Sequence, residues 1–177
     1  QSARKFLTFG IESTSYKAAR AKLMSIKNDV IKGFKAVEHR IEYVATIKDV
    51  VYYNDSKGTN TDASKKALEA MENKTVLIAG GYDKGSEYDD WVEAFGDKIK
   101  CLVLLGATAD KIEETARRHG FTNIRRVKSL QEAVVTASEN ADAGETVLLS
   151  PACASWDMFK SYEERGKLFK QYVKELR

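Results

Sequence analysis

The chain has 177 residues, of which 43% are hydrophobic and 31% charged. That is one ordinary domain, or one domain with a piece of another, and it can bury a core without disulfides or metal. A total of 29 Lys and Arg against 26 Asp and Glu leaves a net charge of +3, too mild to imply nucleic acid. Apolar residues are spread along the whole sequence, which argues against disorder.

The single proline, Pro151, excludes a proline-rich linker or a collagen-like chain. The two cysteines, Cys101 and Cys153, and the two histidines, His39 and His119, have no zinc-site spacing. This usage fits a reducing cytoplasm. No apolar run approaches membrane-spanning length and no signal peptide precedes the chain. The start, Gln-Ser-Ala-Arg-Lys, lacks an initiator Met and reads as a fragment or a processed chain.

Residues 1–35 stand apart from the rest of the chain. Residues 6–10 suggest a strand. Residues 18–34 suggest one or two short helices, with Ala19, Leu23, Met24, Ile26, Val30 and Ile31 inward. This stretch is expected to belong to a preceding domain.

From about residue 40, short apolar runs alternate with helical patterns. Residues 41–46 and 49–54 read as two strands, joined at Ile47-Lys48 as a hairpin. Residues 61–72 place Ala63, Ala67, Leu68 and Met71 at helical spacing. A strand at 75–79 ends in Gly80-Gly81. Residues 87–96 carry Tyr88, Trp91, Val92 and Phe95 on one helical face. A strand at 99–105 includes Cys101 as a buried residue. Thr108 caps a helix through Arg118, which Gly120 ends. Residues 123–127 form a weak strand. Ser129 and Glu132 make a capping box for a helix to about Asn140. Residues 146–149 are the last strand, and an amphipathic helix or helix pair fills 156–176. The predicted fold is α/β: a Rossmann-like, doubly wound, mostly parallel sheet of about six strands, with an antiparallel edge strand from the initial hairpin. There are no internal repeats or low-complexity segments.

In such a sheet, ligands bind beyond the carboxyl ends of the strands. Three unusual loops fall there. Asn54-Asp-Ser-Lys-Gly-Thr-Asn60 offers a carboxylate, an ammonium, hydroxyls and a flexible Gly58 before a helix whose free N–H groups favour an anion. Gly80-Gly-Tyr-Asp-Lys-Gly85 lets a ligand or another backbone approach closely. Its Lys84 is placed to reach a phosphate or carboxylate, although a solvated turn lysine explains it equally well. Ser150-Pro-Ala-Cys-Ala-Ser-Trp-Asp157 packs small residues at a strand end and opens a helix with Ser155. Cys153 reads as a small packed residue rather than a nucleophile, because neither histidine lies in a pairing motif. Ser155 has no Gly-x-Ser-x-Gly elbow. His119, before Gly120, suits a helix C-terminus. No Gly-x-x-x-x-Gly-Lys-Ser/Thr phosphate loop occurs, and no Gly-x-Gly-x-x-Gly follows the first strand, which disfavours a dinucleotide dehydrogenase.

Four segments together resemble one family. They are His39-Arg-Ile-Glu-Tyr, Asn54-Asp-Ser-Lys-Gly-Thr-Asn, Ile78-Ala-Gly-Gly-Tyr-Asp-Lys-Gly, and the stretch from Leu149-Ser-Pro-Ala-Cys-Ala-Ser-Trp-Asp to Tyr162-Glu-Glu-Arg-Gly. In order and spacing they resemble the Mur ligases, in the branch that adds D-glutamate. Sister branches usually carry Asp-Tyr-Ala-His in place of Asn-Asp-Ser-Lys. The resemblance covers residues 36–177 and implies the third, Rossmann-like domain of a three-domain enzyme. Residues 1–35 would be a remnant of the central ATPase domain or a linker.

The resemblance implies an ADP-forming amide ligase of peptidoglycan biosynthesis. ATP phosphorylates the carboxyl of UDP-MurNAc-L-alanine, and the D-glutamate amine then attacks. ATP and Mg2+ would be held mainly by the missing central domain, so no metal ligand is expected here. Thr59 and Lys84 would hold one D-glutamate carboxylate. Ser155, with Trp156 and Tyr162, would hold the other. Arg40 and Asp55 would contact the nucleotide. Lys57, between nucleotide and amino acid, is the candidate catalytic residue. The family often has Ala at the position of Gly58, and some members have Phe at Tyr162. A cytoplasmic monomer, with no nucleic-acid or membrane partner and no activity as an isolated fragment, is expected. The rival readings are a non-catalytic Rossmann-like module binding a nucleotide or small anion, and a domain whose loops contact only a partner protein.

Overall fold

The computed structural model describes residues 37–176; the strand and helices anticipated within residues 1–35 lie outside the described residues. The described residues open on a hairpin of β1 (Glu42–Ile47) and β2 (Val50–Asn54). Its turn is Lys48-Asp49, one residue later than the sequence suggested. Both residues have positive φ, 50° and 61°, as a two-residue turn that matches the strand twist requires.

Four more strands complete the sheet: β3 (Thr75–Ala79), β4 (Ile99–Leu104), β5 (Ile124–Arg126) and β6 (Thr146–Leu149). The sheet order is β1-β2-β6-β3-β4-β5. Every neighbour pair from β2 onward is parallel. The expected six-stranded, mostly parallel sheet with one antiparallel edge is therefore present. All residues of β3 and β6 are buried, which explains why these strands read as unbroken apolar runs.

Five helices cover the two faces: α1 (Thr61–Glu69), α2 (Asp89–Glu93), α3 (Ala109–Arg118), α4 (Leu130–Asn140) and α5 (Tyr162–Glu175). Alternation along the strands feeds two cores. Leu77, Leu102, Leu104 and Leu148 pack with Leu68, Trp91, Phe95 and Ile112 from α1–α3 and the turn after α2. Val76, Ile78, Val103 and Leu149 pack with Leu130, Val134, Phe169 and Val173 from α4 and α5. This is the doubly wound arrangement.

Helix boundaries depart from the sequence reading in three places. The segment expected as a helix over 87–96 contains only the five residues of α2. Tyr88, Trp91, Val92 and Phe95 are all buried as expected, but Phe95 and Lys98 donate to carbonyls three residues back, and Gly96 at φ +45° turns the chain away. Thr108 sits at the N-cap of α3 without capping it; its hydroxyl accepts from Gly81 N instead (3.0 Å). Ser155 does not open a helix. The last helix starts at Tyr162, where Ser161 Oγ accepts from Glu164 N (3.2 Å) and Glu164 accepts from Lys160 N (2.6 Å). The Ser161 cap, with Glu164 holding the residue before it, fixes the start more strongly than the small residues upstream.

Candidate functional site

Strands β2, β6 and β3 are adjacent and parallel, so the loops that leave their carboxyl ends meet at one edge. The first loop is shaped by its own side chains. Asn54 Oδ1 accepts from Ser56 N (3.1 Å), a local turn that polar Asx residues favour. Asn60 caps α1 by accepting from Ala63 N (2.8 Å). Asp55 is fully buried. Its carboxylate accepts from Ser150 Oγ (2.8 Å) and from Ile41 N (3.3 Å), with Arg40 Nη1 at 3.8 Å. Burial pushes the Asp55 carboxyl above the usual range, against the hydrogen bond from Ser150 and the charge of Arg40. A Cβ on Gly58 would press on the Asp55 carboxylate, which would have to shift to admit an alanine.

The second loop docks on the third. Gly80 N donates to Pro151 O (2.9 Å) and Tyr82 N to Ala154 O (2.9 Å). A Cβ on Gly81, at φ +149°, would run into the Ala154 carbonyl. The group that approaches the double glycine is therefore another stretch of backbone. Cys153 packs beneath, its Sγ 3.1 Å from Tyr88 Oη and 3.2 Å from Thr108 Oγ1. Burial raises its thiol pKa, and it behaves as the packed residue expected. Cys101 is buried in β4 as anticipated. His119 forms the C-cap of α3 and pairs with Asp89 (2.9 Å) at the start of α2.

The three loops and the start of α5 line a half-open cavity of about 350 Å³. Thr59, Lys84, Ser155, Trp156 and Tyr162 all line it, beside Ala154, Ser161 and Glu163. These five are the residues expected to hold an amino-acid ligand, and they come from three separate loops and a helix. Lys84 is exposed. Ser155 is 2% exposed, and its hydroxyl makes no hydrogen bond with another described residue. Trp156 is 65% exposed and leans on Tyr82, ring centroids 5.6 Å apart. The remaining candidates lie to one side. Lys57 Nζ sits 6.0 Å from the centroid of the Tyr162 ring, and Lys57 N donates to His39 O (3.0 Å). Arg40 and Asp55 form their pair away from the cavity lining. Asp55 itself has no exposed surface.

Sequence reasoning missed the polar residues beneath the loops. Ser64 accepts from Trp91 Nε1 (2.9 Å) and donates to Ser150 O (3.1 Å). His39 is buried against Gly166, with Nδ1 2.9 Å from Asn54 Nδ2 and its ring edge-on to Tyr162. Arg165 is buried in the Tyr162-Glu-Glu-Arg-Gly segment. Its signal was available: residues 165, 169 and 173 share the inward face of an amphipathic helix, and one of them is charged.

Residues 39–153 match the family model described as "Mur ligase, glutamate ligase domain", and the chain belongs to that family. Among curated relatives, the UDP-N-acetylmuramoylalanine--D-glutamate ligase of Lachnoclostridium phytofermentans is 60% identical over 154 residues, covering 87% of this chain and 34% of the relative. The ligase of the same name from Thermoanaerobacter sp. is 54% identical over 173 residues, covering 94% of this chain and 38% of the relative. The chain thus spans about a third of the length of the curated relatives it matches. Solved structures of other ligases share the fold. UDP-N-acetylmuramate-alanine ligase MurC from Thermotoga maritima aligns with a TM-score of 0.57 at 14% identity, over 82% of this chain and 32% of that one. A domain described as coming from a UDP-N-acetylmuramate:L-alanyl-gamma-D-glutamyl-medo-diaminopimelate ligase of Haemophilus ducreyi aligns with a TM-score of 0.53 at 10% identity, over 78% of this chain and all of that one.

Proposed function

We propose that this chain is the amino-acid-binding domain of an ADP-forming ligase that joins D-glutamate to UDP-MurNAc-L-alanine in peptidoglycan biosynthesis. The observation that carries the reading is the cavity that gathers Thr59, Lys84, Ser155, Trp156 and Tyr162. The names of the long relatives at 50–60% identity support the same substrates.

D-glutamate presents a carboxylate at each end and an amine that must stay free to attack. The cavity has a donor group for each end. The Lys84 ammonium and Thr59 hydroxyl suit one carboxylate. The Ser155 hydroxyl, beside the first turn of α5, suits the other, and free N–H groups at a helix start favour an anion. The Lys57 ammonium lies beside Tyr162 and its backbone bonds to His39, the neighbour of Arg40, and its charge is assigned to both amino acid and nucleotide. Arg40, partly exposed, is the nucleotide contact, and Asp55 is its buried partner. ATP and Mg2+ supply the carboxyl activation when bound, and they are assigned mainly to the upstream part of the whole protein because this sequence carries no phosphate loop. The whole protein is taken as a cytoplasmic monomer; among the described residues no helix is long and apolar enough to cross a membrane.

The test is phosphate release from ATP by the complete protein. Release should require both UDP-MurNAc-L-alanine and D-glutamate, and this chain alone should release none. Release by the complete protein that ignores D-glutamate would overturn the assignment.

A further inference from the structure

Arg165 occupies a position where packing alone calls for an apolar side chain. It shares the inward face of α5 with Phe169 and Val173, and all three are buried. Among the described residues no carboxylate pairs with its guanidinium. All four of its side-chain hydrogen bonds go to neutral oxygens. On the first loop, Nε donates to Ser56 Oγ (3.0 Å) and Nη2 to Ser56 O (2.9 Å). On the third loop, Nη2 donates to Cys153 O (3.2 Å) and Nη1 to Ala154 O (3.3 Å). Burial pulls its pKa down to about 10, so it keeps its charge at neutral pH. The Asp157 and Asp55 carboxylates act on it only through space, without a direct ion pair. A buried cation held this way is costly, and an apolar replacement of similar volume is often as stable. Stability alone therefore does not account for an arginine here.

Its bonds account for it better. Ala154, whose carbonyl Arg165 grips, lines the cavity beside Ser155, and Thr59 on the first loop lines it too. The Ser56 hydroxyl donates onward to Tyr162 O (2.7 Å), which ties in the start of α5. A Cβ added to Gly81 of the second loop would lie 3.3 Å from Nη1, so the second loop passes close by. One planar fork on α5 thus bonds two of the loops that wall the cavity.

We propose that Arg165 is a positioning residue that clamps the first and third loops together and so sets the span of the amino-acid pocket, an inference that rests on the functional reading above. A pocket of fixed span selects a dicarboxylate by the distance between its two ends. The clamp would therefore favour a five-carbon over a four-carbon acidic amino acid. A lysine keeps the charge but is a point donor on a flexible stem, and it cannot reproduce the flat fork that bridges two loops.

The experiment uses the complete ligase and the variants Arg165→Lys and Ser56→Ala. Amide hydrogen exchange is followed over residues 54–60 and 153–157, and steady-state kinetics are measured with D-glutamate, D-aspartate and ATP. In Arg165→Lys both segments should exchange faster while strands β3 and β4 stay protected. KM for D-glutamate should rise about ten-fold, the loss expected for one charge-assisted bond, and the preference for D-glutamate over D-aspartate should fall. KM for ATP should change by less than about two-fold. Ser56→Ala should move the same quantities less far. Unchanged exchange in either loop overturns the clamp, as does a KM for ATP that rises as much as that for D-glutamate. If both loops loosen but the unmodified enzyme does not use D-glutamate, the clamp stands and the functional reading falls.

Discussion

Ser155 offers a clean separation of binding from folding. Its side chain is almost wholly enclosed, yet its hydroxyl has no hydrogen-bond partner among the described residues and borders the cavity. A hydroxyl that makes no hydrogen bond within the described residues and opens on the cavity contributes nothing to stability that an alanine would lose. Ser155→Ala in the complete enzyme should therefore leave the melting temperature within about 2 °C of the original. The same hydroxyl, once it donates to a substrate carboxylate, is worth about 1 kcal/mol. At 1.4 kcal/mol per factor of ten, kcat/KM for D-glutamate should fall about five-fold, with KM for ATP nearly unchanged. Thermal melting and kinetics with each substrate varied, run on one preparation, read both quantities. A melting temperature several degrees lower with unchanged D-glutamate kinetics would show that the hydroxyl serves the fold, and the reasoning from its missing partner would fail.

Three further outcomes are expected. Lys84→Ala removes a charge-assisted contact worth about 1.5–3 kcal/mol, so kcat/KM for D-glutamate should drop about ten- to a hundred-fold while KM for ATP holds; an ATP effect larger than the D-glutamate effect would mean the second loop is misassigned. Asp55→Ala strips the acceptor from Ser150 Oγ and Ile41 N and should cost about 1–3 kcal/mol of stability, seen as a lower melting temperature, whereas Arg40→Ala should raise KM for ATP without such a drop; a fully stable Asp55→Ala would contradict the buried role. Burial lowers the His39 pKa against the opposing charges of Glu38, Glu42 and Glu163 and with the help of Lys170. Its neutral form therefore supports the fold above the unfolded value of about 6.5, and that support is lost as pH falls through the lower folded value. A melting profile against pH should show this loss, and His39→Gln should abolish that component of it.

The alternation of strand and helix was legible because each element carries its period locally: β3 and β6 as apolar runs, α4 through Ser129 and Glu132. The convergence of the three loops was also legible, since any loop after a parallel strand exits at the same edge. The insertion of β6 between β2 and β3 was not, because pairing across some 95 residues leaves no local mark. Ser155 misled as a helix start because small residues at a strand end look like a cap, while the true box at Ser161 and Glu164 lay six residues on. Thr108 misled for a related reason. Its position is a cap, but Gly81 N, 27 residues away, competes for the hydroxyl and wins. The closeness of Gly58 to a carboxylate, and the role of Gly81 as room for a carbonyl, exist only once the loops are stacked.

The buried polar residues beneath the loops explain why the site holds its shape. Trp91 donates to Ser64, Ser64 to the Ser150 carbonyl, and the Ser150 hydroxyl to Asp55. Arg165 joins Ser56 to Cys153 and Ala154, and Asn54 meets His39 and the Gly166 carbonyl (3.3 Å). Each of these groups is removed from water, so each lost partner leaves a desolvated donor or acceptor behind. The loops therefore cannot shift one at a time; moving any of them breaks bonds to another. Rigidity is supplied by groups that never reach the cavity, and the cavity is left with the exposed Lys84 ammonium and Trp156 ring and with the unpaired Ser155 hydroxyl. Held in place before the ligand arrives, a donor of this kind spends little of its bond on ordering itself, and this is why single substitutions at the rim should register in the amino-acid kinetics while substitutions in the layer below should register in stability as well.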